Sequence, residues 1–591
     1  MSFRTPRIFI GLNGSTISVP FGETDMDTII RRFHALKTRQ NAHSSACKLP
    51  PELFYLIFED LAAISPMQPS VNSLWDKIGW AVITQVCHRW RSAAIAHKVL
   101  WAHIELGSMP ARFLNLMAKR AGDYPLKVTC TSHRFPGATL IPRMRALDIH
   151  GFDGVTSLLQ KLSSFPPLPL LEHIRLVPDQ GIYNSPGLTS NFIEYTVPNL
   201  AGLTMKFIRF PWGTTAPRLR RLELIQTRVV RLDFIFQGLK CLPDLEVLVF
   251  DDIDISAPPD DYVSVECPQL RHLVIKGPPN ECNIFWCSIV THPSAFVHID
   301  ASRACDAPIY PDTGDLADLA TEAGCQFDSE LFGDRPTFSR LRMSADKLVP
   351  KCHIQIDDEK SPGGLYGSSD RPTSQHPHPN AGLQVILPVP HGTHETFHRD
   401  FTHGAFETMV RFISAIPPQD WRTLEMQGTM SWVSQPIIDL LRHISAIQTL
   451  RFDHCTDSWA TAELCKHLDP FYGIEPDGEP VIRLPNLTSI FFDHVPFLCP
   501  QCDGKIYSLI EPMGTLLKTR NDLGHGVKYL RITSGSVLAD YVSKWEGLVD
   551  KLEWDNDEGD AHSRHADLED EEDLSEDDEE EEAVGSEDVS D

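Results

Sequence analysis

Residues 394 to 398 read HETFH, a spacing that could bind zinc. On a helix, His394 and His398 would lie on one face and hold the ion, and Glu395 would act as general base in a hydrolysis. The surroundings do not favour that chemistry, because the motif sits in a histidine-rich stretch interrupted by prolines. A longer zinc-protease motif has its third histidine where this chain has Gly404. We interpret the match as accidental and predict no metal ligand and no catalytic residue.

Other short motifs with possible chemistry are isolated. Cys499 and Cys502 form a lone C-x-x-C, and no second pair follows at a spacing suited to zinc. The sequence HRD at 398–400 resembles a kinase catalytic loop but has no accompanying Gly-rich loop or D-F-G. G-x-S-x-G, P-loop and G-x-G-x-x-G motifs are absent from the sequence. We therefore expect a binding protein that needs no cofactor, and not an enzyme.

The acidic charge of the chain is concentrated at its C-terminal end. The sequence has 53 Lys+Arg against 80 Asp+Glu, a net charge of -27; residues 555–591 hold 20 acids and one base, or -19, which leaves -8 elsewhere. The tail is expected to be disordered, and the mildly acidic remainder does not favour a nucleic-acid surface. Apolar runs are too short for a signal peptide or membrane span, and 14 scattered cysteines fit a reducing compartment. We expect a cytoplasmic or nuclear protein that binds neither nucleic acid nor membrane.

Three short amphipathic helices are predicted near the N-terminus. The first, within 48–64, begins at a pair of prolines and an acid, and its apolar residues recur at helical spacing from Leu53 to Leu61. A second pattern covers 81–95, and Leu100-Trp101 belongs to a third. A module this small has little core, so we expect part of its apolar surface to dock elsewhere.

The order of the motifs in residues 48–104 resembles that of an F-box. The sequence contains L-P-x-E-L-x-x-x-I-F, then V-C-x-x-W-R, then L-W-x-x-I. The resemblance implies binding to a Skp-type adaptor of cullin–RING ubiquitin ligases. It assigns contact or supporting roles to Leu49, Pro50, Glu52, Leu53, Ile57, Phe58, Val86, Cys87, Trp90, Leu100 and Trp101. The spacer over 62–80 is longer than in compact F-boxes and leaves the register of the second helix open; the alternative is the core of an unrelated helical hairpin.

A leucine-based phrase recurs through the rest of the chain. Eight copies share P-x-Φ-x-x-Φ-x-Φ, where Φ is apolar, as in PRLRRLEL at 217–224 and PNLTSIFF at 485–492. Φ-x-Φ predicts a short strand with both apolar side chains inward, and the proline prevents a helix before it. The pattern resembles leucine-rich repeats, which implies a stacked solenoid. Strands of a sandwich are the alternative, because the copies become more widely spaced after residue 296.

In such a solenoid, the residue between the last two Φ positions points out of the concave sheet. This row reads Asp148, Arg175, Thr204, Glu223, Val249, Val274, Asp300, Arg342, Glu425, Arg451, Phe491, Arg531 and Glu553. Its mixed charges favour a protein partner over a phosphate backbone. We select six candidate target-binding residues from it: Arg175, Glu223, Arg342, Arg451, Phe491 and Arg531.

Together these patterns predict an α/β (α+β) chain with a short helical F-box module, an irregular leucine-rich-repeat-like solenoid and a disordered acidic tail. The expected segments are an extension at 1–47, the F-box-like module at 48–104, a first array at 105–353, a low-complexity insert at 354–400, a second array at 401–554 and the tail at 555–591. Proline-led repeats behind a spaced F-box resemble the F-box families of mushroom-forming fungi. The resemblance implies a substrate-recognition subunit of a Skp–cullin–F-box ubiquitin ligase, which binds the adaptor and an unknown target. A repeat scaffold acting outside a ligase is the alternative.

Overall fold

A computed structural model of the chain describes most of the residues between 7 and 557. The described ranges are 7–12, 15–20, 26–67, 78–106, 109–130, 136–151, 155–178, 187–227, 231–253, 264–292, 294–301, 340–346, 351–357, 382–388, 412–414, 421–428, 440–441, 444–455, 458–472, 479–500 and 506–557. The HETFH motif, Cys502 and the tail from 558 lie outside them. The chain forms two compact units, Met1–Arg209 and Phe210–Asp591.

The first unit begins with a hairpin and a group of helices. Its elements are β1 (Arg7–Leu12), β2 (Ser15–Pro20), α1 (Met26–Ala42), a 3-10 turn (Ser45–Lys48), α2 (Pro51–Ile64), a 3-10 helix (Gly79–Gln85), α3 (His88–Ala96) and α4 (Lys98–Trp101). The second helix expected over 81–95 is therefore divided. Cys87 has an extended backbone and caps α3, since its Sγ accepts a hydrogen bond from the backbone N of Trp90 at 3.5 Å. The apolar spacing persists across this break because both pieces pack on one core, through Ile83 and Ala94.

A parallel sheet with intervening helices completes the first unit. Its elements are β3 (His103–Leu106), α5 (Ala111–Ala121), β4 (Leu126–Cys130), β5 (Met144–His150), α6 (Val155–Ser163), β6 (His173–Val177), a π-helical turn (Phe192–Thr196) and β7 (Gly202–Lys206). The strands pair in chain order, each parallel to the next. The segment boundary expected between 104 and 105 falls inside β3.

The second unit contains the longer sheet. Its elements are β8 (Arg221–Ile225), α7 (Leu232–Leu239), β9 (Val247–Asp251), β10 (Val265–Cys267), β11 (His272–Lys276), α8 (Pro279–Ser288), β12 (Ile289–Thr291), β13 (Phe296–Asp300), β14 (Arg340–Asp346), β15 (Lys351–Asp357), β16 (Gly382–Pro388), β17 (Thr423–Gly428), β18 (Thr449–Asp453), α9 (Ser458–Leu468), β19 (Ser489–Asp493), β20 (Leu498–Pro500), β21 (Ile506–Ser508), α10 (Ile510–Asp522), β22 (Tyr529–Thr533), α11 (Ala539–Glu546) and β23 (Lys551–Trp554).

The strand order of this sheet departs from chain order at its middle. Strands β8, β9, β11 and β13 are parallel neighbours, as are β17, β18, β19, β22 and β23. Between these two groups lie β16, β15 and β14, in that spatial order. β16 is parallel to β13, β14 is parallel to β17, and β15 is antiparallel to both of its neighbours. The range 354–400, expected to be an insert, therefore contains the end of β15 and all of β16.

The repeated phrase forms a turn followed by a strand. In the copy at 217–224, the backbone N of Leu219 donates to the carbonyl of Ala216 at 3.1 Å, which places Pro217 second in the turn, where its fixed φ is favourable. The three apolar residues of the copy, Leu219, Leu222 and Leu224, are fully buried. Proline thus does more than prevent a helix, because it shapes the entry to the strand.

Several strands are followed directly by a residue with left-handed backbone geometry. Examples are Gln226 (φ 49), Asp252 (φ 60), His454 (φ 51) and His494 (φ 57). The backbone N of each donates to the carbonyl that ends the neighbouring strand; for His454 this acceptor is Asp493 at 2.8 Å. Residues at this position in adjacent strands are consequently neighbours along one edge of the sheet.

The expected α/β class is confirmed, since helices alternate with strands that are mostly parallel. Among the described residues, no helix has both the length and the apolar character needed to cross a bilayer.

Candidate functional site

Helix α2 exposes one apolar face and buries the other. The exposed fractions of Leu53, Leu56 and Ile57 are 43%, 59% and 41%, whereas Phe54 and Phe58 are 1% and 0% exposed. Apolar side chains recur on both faces of this helix, so the chain can bury only one of them. The exposed face is a candidate docking surface for a partner.

The buried face of α2 packs on aromatic side chains of the following helices. The ring centroids of Phe54 and Phe58 lie 5.6 and 5.5 Å from that of Trp90. Trp101 contacts Trp80 at 5.0 Å, and its Nε1 donates to the carbonyl of Ala94 at 2.7 Å. These contacts hold the helical module together and fix the direction of the exposed face.

The predicted adaptor-binding residues divide into three groups by exposure. Pro50, Glu52, Leu53, Ile57 and Val86 are exposed; Leu49, Cys87 and Trp90 are half-buried; Phe58, Leu100 and Trp101 are buried. The exposed group can contact a partner directly, and the buried group supports it from within the module.

Two contacts bring the first and second sequence motifs together. Nη2 of Arg89 donates to the carbonyl of Leu49 at 2.8 Å, so α3 is tied to the residue just before α2. The sulfurs of Cys47 and Cys87 are 3.6 Å apart, and burial raises the pKa of the Cys47 thiol. Val86, which is 56% exposed, follows the 3-10 helix directly before this junction.

A second candidate surface lies on the outward face of the sheet in the second unit. The register of β17, β18, β19, β22 and β23 aligns one residue from each strand: Glu425, Arg451, Phe491, Arg531 and Glu553. These five belong to the outward row predicted from the repeated phrase; Glu425 is buried, at 8% exposed, and the other four are half-buried. The structure thus brings three of the six predicted target-binding residues together on adjacent strands.

The Phe491 ring lies between two guanidinium groups. The guanidinium carbons of Arg451 and Arg531 are 5.0 and 4.9 Å from the centroid of this ring, within the range of cation–π attraction. Nη2 of Arg531 also donates to both carboxylate oxygens of Asp493, at 2.8 and 2.9 Å. Tyr529 contacts the ring edge-on at 5.2 Å. Two cations and two aromatic rings therefore form a continuous, ordered surface.

Charged and phenolic groups extend this surface onto β23. The Tyr529 hydroxyl donates to Glu553, and this hydrogen bond raises the pKa of Tyr529. Lys551 pairs with the same carboxylate and lowers the pKa of Glu553. The surface presents both signs of charge, as expected for a protein-binding face.

The other three predicted target-binding residues lie on strands other than these five. Arg175 is exposed on β6 in the first unit. Glu223 lies on β8 and pairs with Arg221 on the same strand. Arg342 lies on β14 in register with Glu425; its side chain is outside the described part of the structure.

One member of the predicted row needs correction. His298, not Asp300, aligns with Val274 across β11 and β13. In the copy at 296–301, Phe296 is itself the first residue of the strand. Treating Phe296 as the residue before the strand displaced the outward position by two.

A group that the sequence analysis missed lies at the end of β18 and β19. Asp453, His454 and His494 can each offer a metal-binding atom, and these atoms lie within 4.8 Å of one another. The signal in the sequence was the tripeptide F-D-H, which occurs at 452–454 and 492–494 and begins at the last apolar position of the repeated phrase in both copies. The absence of a metal ligand stays a prediction; it rested on isolated motifs, whereas this group combines equivalent positions of two repeats.

Neither a protein-family model nor a curated protein matches the sequence. Function is therefore inferred from the two surfaces themselves.

Proposed function

We propose that this chain is a substrate-recognition subunit of a Skp–cullin–F-box type ubiquitin ligase. Helices α2 and α3 bind a Skp-type adaptor, and the outward face of the sheet in the second unit binds a target protein. The chain supplies proximity between the target and a charged ubiquitin-conjugating enzyme, and contributes no catalytic residue of its own.

The observation that carries the proposal is the apolar face of α2, whose Leu53, Leu56 and Ile57 are exposed in the part of the chain that the structure describes. Leu53, Leu56 and Ile57 would be costly to expose in a protein that had no use for them, since burying such a side chain is worth about 1.5–3 kcal/mol. They stand within the L-P-x-E-L-x-x-x-I-F motif that resembles the F-box. Both the exposure and the motif are expected of an adaptor-binding helix.

The target-binding part of the proposal rests on the Arg451–Phe491–Arg531 stack. Aromatic and arginine side chains are enriched at the energetic centres of protein interfaces. The stack holds Phe491 and both guanidinium groups in place before a partner binds, which reduces the entropy lost on association.

The first experiment measures binding of a Skp-type adaptor by the full-length protein and by the double variant Leu53→Ala/Ile57→Ala. Two truncated interface anchors should cost about 2 kcal/mol or more, which is about thirtyfold in affinity. The matched control is Leu116→Ala/Leu170→Ala, because these leucines of the first unit are also exposed, at 38% and 45%.

The two variants separate docking from folding. Loss of binding in the α2 variant alone, with an unchanged circular dichroism spectrum, supports the ligase proposal. Equal binding by both variants contradicts it. If the wild type fails to bind an adaptor that a known F-box protein binds, a repeat scaffold outside a ligase becomes the better description.

The target-binding face is tested separately by crosslinking in cells. A partner recovered with the wild type should be lost with Phe491→Ala and retained with Phe471→Ala, whose phenylalanine in the same unit is 48% exposed. Equal recovery with both variants would exclude the Phe491 surface from target binding.

A further inference from the structure

We propose that His454 and His494 form a binding site for a divalent transition metal, with Asp453 as the residue that orients His454. The site would take zinc or a similar ion that prefers imidazole ligands. This inference is independent of the ligase proposal, since it concerns metal binding by the chain alone.

The backbone brings the two histidines together. Strands β18 and β19 are parallel neighbours in register, and each histidine directly follows its strand with a left-handed φ, 51° for His454 and 57° for His494. Their rings consequently stack, with centroids 4.3 Å apart and planes at 18°. Two residues before each histidine, Phe452 and Phe492 stack in the core with their ring centroids 5.0 Å apart, and this contact holds the two strands in the same register.

The hydrogen bonds around the pair leave one nitrogen of His454 available. Nδ1 of His454 donates to Oδ1 of Asp453 at 2.6 Å, which leaves Nε2 with the lone pair that a metal needs. The other carboxylate oxygen of Asp453 accepts a hydrogen bond from Nε2 of Gln427 at 3.1 Å, so the carboxylate is itself held in place. This carboxylate–histidine arrangement is the one that commonly orients metal ligands.

The equivalent carboxylate of the next repeat is engaged elsewhere. Asp493 accepts hydrogen bonds from Arg531 and from the hydroxyl of Thr533. The two F-D-H copies therefore differ in role: one aspartate orients its histidine, and the other anchors the arginine of the Phe491 stack.

The distances are compatible with one ion after a small movement. Two nitrogens that bind a tetrahedral zinc at about 2.0–2.1 Å lie about 3.3 Å apart. One nitrogen of each histidine and one carboxylate oxygen of Asp453 lie within 4.8 Å of one another, and both histidines are exposed, so rotation of their rings can bring two nitrogens to the separation that one ion requires. Water would complete the coordination at this solvent-facing edge.

The test measures zinc binding by the full-length protein with isothermal titration calorimetry. The variants are His454→Asn and His494→Asn, because asparagine tolerates a left-handed φ and alanine would add strain. Asp453→Asn tests the orienting role. His150→Asn is the matched control, since the Nε2 atom of this histidine also pairs with an aspartate, Asp148, at 2.7 Å.

Each histidine variant should weaken the tightest zinc site at least tenfold, and Asp453→Asn should weaken it about 10–100-fold. His150→Asn should bind like the wild type. The chain has 25 histidines, so calorimetry alone does not locate the site. Carbethoxylation followed by peptide mass spectrometry locates it independently, because bound zinc should protect His454 and His494 from modification. Unchanged affinity in both histidine variants, an equal loss in His150→Asn, or absence of protection would overturn the proposal.

Discussion

We predict that Arg520→Lys destabilises the protein more than Arg520→Met. Arg520 is a buried arginine of α10, so the comparison tests its surroundings in the structure. Arg520 is 0% exposed, and its Nη1 and Nη2 donate to the carbonyls of Arg483 and Leu484, each at 2.8 Å. These carbonyls begin the turn that leads into β19. The arginine thereby supports the strand that carries Phe491 and His494.

The free-energy costs of burying a charge and of losing hydrogen bonds predict which of the two variants is less stable. Burial lowers the pKa of Arg520 from its ordinary 12.5 to about 10, which corresponds to about 3 kcal/mol of lost hydration for the charged form. Methionine avoids this cost but removes one hydrogen bond from each of two carbonyls, at about 1–3 kcal/mol each, so the net loss is about 1 kcal/mol. The loss is limited further because the Leu484 carbonyl also accepts from Leu487 N.

Lysine neither avoids the cost of burying a charge nor keeps both hydrogen bonds of the arginine. Its ammonium is more strongly hydrated than a guanidinium, and its single nitrogen cannot reproduce the two parallel bonds of Arg520. We expect Arg520→Lys to cost about 2–4 kcal/mol, from one lost hydrogen bond and a larger hydration penalty.

The assay is native-state hydrogen exchange of peptides that cover residues 484–493. It reports the free energy of local opening, whereas one global unfolding midpoint would mix the two compact units. Arg231→Lys serves as control, because that side chain is 69% exposed. Wild-type protection in the lysine variant, or a larger loss with methionine than with lysine, would refute the reasoning.

Three further predictions concern the stability and reactivity of both units. Gly79→Ala should reduce hydrogen-exchange protection of the peptides around it, because φ is +44° and the added Cβ would lie 2.5 Å from a carbonyl oxygen. Gly547→Ala, with open space around the added Cβ, should leave the protection of its own peptides unchanged. His467 is 4% exposed, and burial lowers its pKa below the ordinary 6.5. As pH falls through 6.5, this histidine therefore gains a proton in the unfolded chain before it does so in the folded protein, and the free energy of unfolding should decrease more steeply in the wild type than in His467→Leu. Parallel plots of this free energy against pH would contradict the prediction. Burial raises the pKa of Cys465 to about 12, so iodoacetamide at pH 8 should label the half-buried Cys241 and leave Cys465 unmodified in the folded protein, as read by mass spectrometry.

Much of the parallel sheet could be predicted because its determinants are local. Leu219, Leu222 and Leu224 show how one phrase specifies a turn, a strand and its inward face. The placement of β14, β15 and β16 could not be predicted in the same way. Their pairing joins residues far apart in sequence, and the only local signal, the spacing of the phrase, is lost where they occur.

The candidate surfaces were predictable to different degrees. The Arg451, Phe491 and Arg531 row followed from strand alternation, since register alone makes these side chains neighbours. The division of the helix at Cys87 was not predicted, because apolar spacing does not distinguish one helix from a 3-10 helix followed by an α-helix. The His454–His494 pair required knowledge of which strands are adjacent and of the left-handed step after each strand.

The interrupted order of the longer sheet has a consequence for synthesis on the ribosome. Strand β13 is complete at residue 300, but its partner β16 begins only at residue 382. Strand β13 therefore cannot acquire this partner until residues 382–388 have been synthesised. Unpaired strand edges pair readily with other extended chains, so we expect this interval to favour aggregation of the growing polypeptide.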